Sequence, residues 1–485
     1  ILTMLKKSLL LLLLVILLVA GIVLVKTFQF TSIQTKVAAP PAPAMPETSV
    51  QHFQQAIAIK TISYGDAALF DSTQFLAFRK FLETTYPKMH SQLSREVVAD
   101  YSLLYTWHGK DTTLQPIVLM AHQDVVPIEE STKSMWTVDP FAGSVKDGFI
   151  WGRGTTDDKI NLIAICEAVE KLLNEGVQPL RTVYFAFGHD EEVGGRGALA
   201  TANLLKQRGI KAEMVMDEGG IITKEKVPGL AKPIALLGTA EKGYLSLELT
   251  VEIPGRHSSM PEKETAIDVL TKAIVQLRSQ PFEAEFSEPL QNFFEHVGPE
   301  MPFVQRMAMA NQWLFKPMIV SSYEKSGPGS AMMRTTMVPT ILKAGIKDNI
   351  VPTQAKCIVN FRLLPGDLSK EVIEKVRKII NDDRVKIEPL DNGAVAEASA
   401  VSPVDGFGYK KVEVTIKQTY PNVLTAPFLM IGATDSRHFG EVSKNIIKFS
   451  PMVDPIGFHG IDERVSLESY QTAIWFYQQL LSNLN

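Results

Sequence analysis

The chain has 485 residues, of which 45% are hydrophobic and 21% are charged, a composition typical of folded proteins rather than of disordered chains. This length allows two or three domains of ordinary size. The net charge of −4 and the absence of a long basic run argue against a surface that binds nucleic acid. The two cysteines, Cys166 and Cys357, exclude a disulfide framework.

The first predicted element is an apolar helix at the N-terminus. Residues 8–25 carry no charged side chain, while Lys6 and Lys7 precede them and Lys26 follows. Their length is close to the minimum for a membrane-spanning helix. The excess of lysine before the stretch favours an N-terminus inside the cell and a C-terminus outside. We therefore predict a signal anchor over residues 1–28. A signal peptide cleaved within 37–44, which would leave the protein secreted, is the alternative. Both place the folded part on the periplasmic, lumenal or extracellular side.

Beyond a Pro/Ala-rich linker at 29–47, two kinds of pattern alternate along the chain. Apolar strands such as "QPIVLMAH", "TVYFAFGHD" and "EMVMDEGG" are separated by helical stretches, and this order predicts an α/β fold with a mostly parallel sheet. From Tyr244, "YLSLELTVEIPG" has the alternation of an antiparallel strand. We predict a main α/β domain in two parts, 48–242 and 396–485, with a smaller α+β, ferredoxin-like domain inserted at 243–395.

Side chains of the metal-binding type follow the predicted strands of the first unit. They are His122 and Asp124, then Asp157 and Asp158 in "WGRGTTDDK", Glu191 and Glu192 in "GHDEE", Asp217 in "VMDEGG", and far downstream His459. A single such residue is usually a cap or a turn residue, but ligands in this fold class bind at the carboxyl ends of the strands. The pattern therefore predicts a metal centre. Histidine and carboxylate donors favour zinc, with cobalt or manganese as replacements.

Taken together, these motifs and their order resemble metallopeptidase family 20. The matching motifs are H-x-D at 122–124, G-R-G-x-x-D-D-K at 152–159, D-E-E at 190–192, D-E-G-G at 217–220 and H-G at 459–460. The similarity covers nearly everything after the linker and is greatest to the branch of carboxypeptidase S and N-fatty-acyl-amino-acid synthase/hydrolase. It implies a hydrolase of the amide bond next to an amino acid with a free carboxylate. The substrates would be short peptides, which the enzyme would hydrolyse, or N-acyl amino acids, which it would hydrolyse or synthesise.

The resemblance also implies how the centre is built. Two zinc ions per chain would be held by five ligands: His122, Asp157, Glu192, Asp217 and His459. Asp157 would bridge the ions, which activate a hydroxide between them for attack. Asp124 would orient the ring of His122. Glu191 would be the general base that passes the proton to the leaving amine, and His189 beside it is predicted to be a structural turn residue.

Substrate contacts are carried over from the resemblance in the same way. His257 of "PGRHSSMP" would reach the active site of a second subunit and stabilise the oxyanion, which implies a homodimer through the inserted domain. Asn349 and Arg362 would bind the substrate, since a guanidinium can bind a carboxylate through two hydrogen bonds. The remaining contacts would come from the loop with Gly432, Thr434 and Asp435. Without the resemblance, His257 is an ordinary loop histidine and Arg362 a residue on the polar face of a strand.

Two alternatives concern other kinds of function. A non-catalytic, exported binding ectodomain on a peptidase scaffold is expected to have lost ligands or the base, and all of them are present. A serine hydrolase is not indicated, because no G-x-S-x-G motif occurs. A third open point is the stretch 293–333, rich in Phe, Met and Trp. It is predicted to form domain core or a dimer face, with a pocket for an acyl chain as the alternative.

Overall fold

A computed structural model describes residues 2–44, 46–260, 262–390 and 395–484. The chain begins with helix α1 (Leu2–Gln29), which is followed by an extended segment that leads into the main domain. Of the described helices, one is long and apolar enough to cross a membrane, over Thr3–Gln29 with a mean hydropathy of 3.4.

The first part of the main domain runs from α2 to β8. Its elements are α2 (Glu47–Ala58), α3 (Ser72–Thr85), α4 (Pro87–Gln92), β1 (Ser94–Val98), β2 (Ser102–Trp107), β3 (Ile117–His122), β4 (Ser144–Lys146), β5 (Phe149–Trp151), α5 (Lys159–Asn174), β6 (Val183–Gly188), α6 (Arg196–Gln207), β7 (Met214–Thr223) and β8 (Ile234–Glu241).

The insertion and the return to the main domain complete the chain. The insertion contains β9 (Gly243–Glu252), α7 (Ala266–Ser279), α8 (Glu288–Val297), α9 (Phe303–Ala310), α10 (Gln312–Tyr323), α11 (Gly327–Met333), β10 (Thr336–Ala344), β11 (Gln354–Leu363), α12 (Ser369–Ile380) and β12 (Val385–Pro389). The second part of the main domain contains α13 (Phe407–Thr419), β13 (Leu424–Met430), β14 (Ile446–Val453), β15 (Arg464–Ser466) and α14 (Leu467–Asn483).

The main domain is built on a large, mainly parallel sheet with the strand order β1-β2-β6-β3-β7-β14-β8-β13. Strands β6, β3, β7 and β14 run parallel to one another, and β13 runs parallel to β8. Along β3, Leu119 belongs to the core beneath α5 and α14, whereas Val118 and Met120 belong to the core beneath α6. Burial on both faces explains the continuous apolar runs of these strands, and the predicted α/β fold is confirmed.

The inserted lid domain, consisting of β9–α7 and β10–β12, has a separate antiparallel sheet. Its strand order is β10-β11-β9-β12, and the chain order is βαββαβ, as in ferredoxin-like folds. Helices α7 and α12 pack on this sheet through Leu270 and Val376. The predicted α+β insertion therefore has the expected architecture.

Helices α8 to α11 lie in the predicted insertion but pack on the main domain. They lie within 243–395, yet Leu290, Phe293 and Phe294 share a core with Leu424 and Ala426 of β13. The apolar face of α8 covers the last strand of the large sheet, so burial of apolar surface assigns these helices to the main domain. The core interpretation holds for part of the aromatic stretch, while other side chains of α9 and α10 remain exposed.

Candidate metal centre and active site

Three neighbouring strands bring the predicted metal-binding residues together. Strand β3 ends at His122, β6 ends directly before residues 189–192, and β7 carries Glu218. Because these strands are adjacent and parallel, their carboxyl ends meet at one edge of the sheet. Asp157 enters this edge from the loop before α5, and His459 from the loop that follows β14.

Asp157 lies between the two histidines. Its Oδ1 is 2.8 Å from Nε2 of His122, and its Oδ2 is 2.7 Å from Nε2 of His459. Oε1 of Glu192 is 3.2 Å from the same nitrogen of His459. One carboxylate that contacts two imidazoles through different oxygens has the arrangement needed to bridge two cations.

The predicted ligand Asp217 and its neighbour Glu218 have different contacts. Oε1 of Glu218 is 3.2 Å from Nε2 of His122. The carboxylate of Asp217 instead accepts a hydrogen bond from the backbone N–H of Ser436 at 2.7 Å. The reason is that successive side chains of a strand point to opposite faces of the sheet. In this structure Glu218 faces His122 and Asp217 faces the loop with Ser436.

Asp124 supports the cluster from behind. Its Oδ1 is 3.2 Å from Nδ1 of His122. Its two carboxylate oxygens also accept the backbone N–H groups of Glu191 and Glu192, each at 3.2 Å. Burial by itself raises the pKa of Asp124, but hydrogen bonds from His122 and Ser63 outweigh this effect and lower it. A fully buried anion thus fixes both the imidazole and the turn that carries the two glutamates.

The donor set fits divalent cations. Two groups of side chains have ligand atoms close enough to share an ion: His122, Asp158 and Glu218, and His122, Asp157 and Glu192. Burial, with repulsion from Asp157 and Asp158, raises the pKa of Glu218 well above its usual value. Buried carboxylates outnumber the imidazoles here, and buried anions are costly unless they are paired or bind a metal. Asp158, which sequence analysis noted but did not assign, is part of this excess of negative charge.

The residues of "GHDEE" have separate environments. Nδ1 of His189 is 2.7 Å from the hydroxyl of Ser102, and the ring packs between aromatic side chains, as predicted for a structural residue. Asp190 accepts the N–H of Gly197 at 2.8 Å at the start of α6. Burial raises the pKa of the Glu191 carboxyl well above its usual value. A carboxyl in such a setting is suited to accept and release a proton.

The predicted substrate residues of the lid fall into two places. His257 and Asn349 line the same cavity of about 740 Å³. His257 is exposed, and its Nδ1 is 2.8 Å from the hydroxyl oxygen of Ser259. Arg362 is half-buried on β11, with its guanidinium 4.7 Å from the ring centre of Tyr244. Burial lowers the pKa of Arg362. Arg362 pairs with Tyr244 near the start of β9, where the chain passes from the main domain into the lid.

The loop after β13 carries the predicted residues Gly432, Thr434 and Asp435. Gly432 is exposed, but Thr434 is buried and its hydroxyl donates to Oε1 of Glu241 at 2.7 Å. Asp435 is also buried, and its carboxylate lies where a Cβ on Gly188 or Gly195 would stand. Thr434 therefore ties the loop to the end of β8.

A model of peptidase family M20/M25/M40 matches residues 118–483. The chain belongs to this family. Probable carboxypeptidase S-like 2 of Dictyostelium discoideum is 42% identical over 442 residues, 89% of this chain and 84% of that protein. N-fatty-acyl-amino acid synthase/hydrolase PM20D1 of Homo sapiens is 38% identical over 438 residues, 88% of this chain and 86% of that protein. The fold is similar to the crystal structure of the M20 family metallo-carboxypeptidase Sso-CP2 from Sulfolobus solfataricus, with a TM-score of 0.66, 17% identity, and coverage of 91% of this chain and 99% of that one.

Family membership confirms the resemblance drawn from the motifs. The protein is an enzyme of a metal-dependent peptidase family, with carboxypeptidase S-like and N-fatty-acyl-amino acid synthase/hydrolase relatives. The cluster around Asp157 is the place where the described side chains fit a metal.

Proposed function

We propose that this protein is a dinuclear zinc hydrolase that cleaves the amide bond next to an amino acid with a free carboxylate. The observation that carries the proposal is the position of Asp157 between His122 and His459. Glu218 beside His122 and Glu192 beside His459 complete two sets of donors around this bridge. Histidine and carboxylate donors without cysteine suit zinc, and cobalt or manganese could replace it.

The residues of the chain then have distinct tasks. When bound, the metal ions would lower the pKa of a bound water and would polarise the carbonyl of the substrate. Glu191 would take a proton from this water and deliver it to the nitrogen of the leaving amine. Asp124 holds the backbone of Glu191 and the ring of His122 in place. Arg362, at the junction of lid and main domain, would bind the carboxylate of the substrate.

The substrate is a short peptide or an N-acyl amino acid, since both present an amide beside a free carboxylate. The carboxypeptidase S-like and N-fatty-acyl-amino acid synthase/hydrolase relatives support the two choices about equally. A panel of blocked dipeptides and long-chain N-acyl amino acids, assayed on zinc-loaded protein with Glu191→Gln as the control, tests the proposal. Hydrolysis of either class that is lost in the control is the expected result. No turnover of any member by protein with two bound metal ions would contradict it.

A homodimer through the lid is part of the proposal. Strand β10 lies at the edge of the lid sheet, and Val338, Ile341 and Leu342 on it are 51%, 48% and 65% exposed. An unpaired apolar edge of this kind is suited to pair with a second copy, which would present the exposed His257 to the neighbouring active site. A mixture of His257→Ala and Glu191→Gln chains is expected to regain partial activity. Mixed dimers without any recovery would show that each site is complete within one chain.

We infer that the N-terminal anchor is retained and that the catalytic domain is exported. The reason is Gln34, whose amide docks on the free edge of β13. Its Oε1 accepts the N–H of Thr425 at 2.8 Å and the ammonium of Lys417 at 2.7 Å, and its Nε2 donates to the carbonyl of Thr425 at 2.8 Å. Cleavage within 37–44 would remove these hydrogen bonds from the partly buried edge of β13. Mass analysis of membrane-extracted protein should find Gln34 covalently attached, and an N-terminus after residue 37 would contradict the inference.

A further inference from the structure

Helices α9 and α10 present apolar side chains to the outside of the protein. Val304 is 61% exposed, Trp313 is 56% exposed and Met318 is 49% exposed, and Phe303 and Leu314 are each 43% exposed. The two helices meet at Asn311, and we call residues 303–323 the α9–α10 hairpin. Exposed apolar side chains that cluster on one surface usually mark an interaction site, whereas scattered ones do not.

The hairpin is joined to the end of the apolar helix α1. Asn311 is fully buried, and its Nδ2 donates to the carbonyl of Val23 at 3.1 Å and to the hydroxyl of Thr27 at 3.2 Å. The ring of Phe28 lies 6.1 Å from that of Phe303, and the ammonium of Lys26 lies 5.9 Å from the ring of Trp313. These contacts fix the position of the hairpin relative to α1.

The contacts also fix the depth of the hairpin. The uncharged stretch 8–25 is about 27 Å long at about 1.5 Å per residue, close to the ~30 Å thickness of the hydrocarbon core. Val23 belongs to this stretch and precedes Lys26 by only about 4.5 Å along the helix. Since Asn311 bonds to Val23, the start of α10 lies level with the end of the span.

We propose that the α9–α10 hairpin contacts the lipid bilayer and seats the catalytic domain on the outer surface of the membrane that α1 spans. The inference rests on the proposed membrane anchor. Trp313 with neighbouring Arg306 and Lys316 has the composition of a membrane interface, where tryptophan and basic side chains lie at the level of the head groups. The docked segment around Gln34 keeps the domain in this orientation.

The test uses the full chain in phosphatidylcholine vesicles. Trp313→Cys and Met318→Cys each receive a polarity-sensitive fluorophore, while Cys166 and Cys357 are only 1% exposed and are left in place. Val97→Cys is the matched control, because Val97 is 43% exposed on β1 at the opposite edge of the large sheet. Circular dichroism reports that each labelled chain is folded.

Quenching by doxyl-labelled lipid is expected to lower the fluorescence at 313 and 318 at least twofold and to leave the control unchanged. Equal quenching at all three positions would overturn the proposal. A second copy of the chain could instead cover the hairpin. In that case the emission of the label at 313 would be blue-shifted, would lose this shift on dilution and would not be quenched by lipid, and this result would also overturn the proposal. Release of the wild-type chain from vesicles by alkaline carbonate would instead show that the anchor proposal has failed.

Discussion

Replacing Glu218 with Gln is expected to weaken metal binding far more than replacing Asp217 with Asn. Oε1 of Glu218 lies 3.2 Å from Nε2 of His122, so the change removes an anionic donor from the cluster. Groups that hydrogen-bond to metal ligands contribute about 10- to 100-fold to the affinity for the metal. Loss of a direct donor should therefore cost about 100-fold or more, which corresponds to about 2.7 kcal/mol.

Asp217 is expected to affect folding rather than metal. Its carboxylate accepts the N–H of Ser436 at 2.7 Å, and Asn keeps an oxygen for this bond but loses the charge. The expected decrease in the free energy of unfolding is about 1–2 kcal/mol. Metal affinity should change less than about tenfold, which is less than the effect of removing a group that hydrogen-bonds to a metal ligand.

The assay is a competition between each variant and a zinc-buffering chelator, with urea unfolding of the metal-free protein beside it. Glu241→Gln is the control, because Glu241 is a buried carboxylate on the neighbouring strand β8 and lies outside the cluster. Its zinc affinity should stay close to that of the wild type. If Asp217→Asn lost zinc and Glu218→Gln kept it, the orientation of side chains along β7 and the reasoning built on it would be wrong.

Four further variants test the proton-transfer group and the glutamate beside it, a buried lysine and the docked N-terminal segment. Glu191→Gln should lower kcat about 10²–10⁴-fold with both metals bound, whereas Glu192→Gln should lose one ion, which turnover and elemental analysis distinguish. Burial and repulsion from Arg362 lower the pKa of Lys242 to about 7 from 10.5. The unfolded chain therefore binds more protons between these values, and stability should rise with pH from 7 to 9 by up to about 1.4 kcal/mol per unit; urea unfolding of Lys242→Met should show a correspondingly smaller slope. Gln34→Ala should lower the unfolding free energy by about 1–3 kcal/mol, since it leaves backbone groups of Thr425 unpaired and leaves Lys417 with the carbonyl of Val423, and an unchanged urea midpoint would count against the docked segment.

Much of the fold followed from local patterns of the sequence. Strands such as β3 and β6 are continuous apolar runs because both faces of the large sheet are covered by helices. The alternation that begins at Tyr244 identified the first strand of the lid for the complementary reason, since one face of that strand packs against helices and the other carries polar side chains such as Ser246 and Glu248. The packing of α8 on β13 could not be foreseen, because it joins residues more than a hundred positions apart.

The convergence of His122, Asp157, Glu192 and His459 is likewise a consequence of topology that the sequence allowed us to expect. Carboxyl ends of adjacent parallel strands meet at one edge, so polar residues after successive strands become neighbours. The second role of Asp124, which holds the backbone of both glutamates, depends on the path of the turn. Such hydrogen bonds leave no periodic signal in the sequence.

The sequence by itself determined that a metal centre would lie at the ends of β3, β6 and β7, whereas only the tertiary structure decided which carboxylates face it. Asp217 and Glu218 are adjacent, acidic and both buried, so hydropathy does not distinguish them. Their side chains point to opposite faces of β7, and the pairing of β7 with β3 and β14 sets which face meets His122. Strand orientation is a property of the assembled sheet, and it places Glu218 against the imidazole and Asp217 against Ser436.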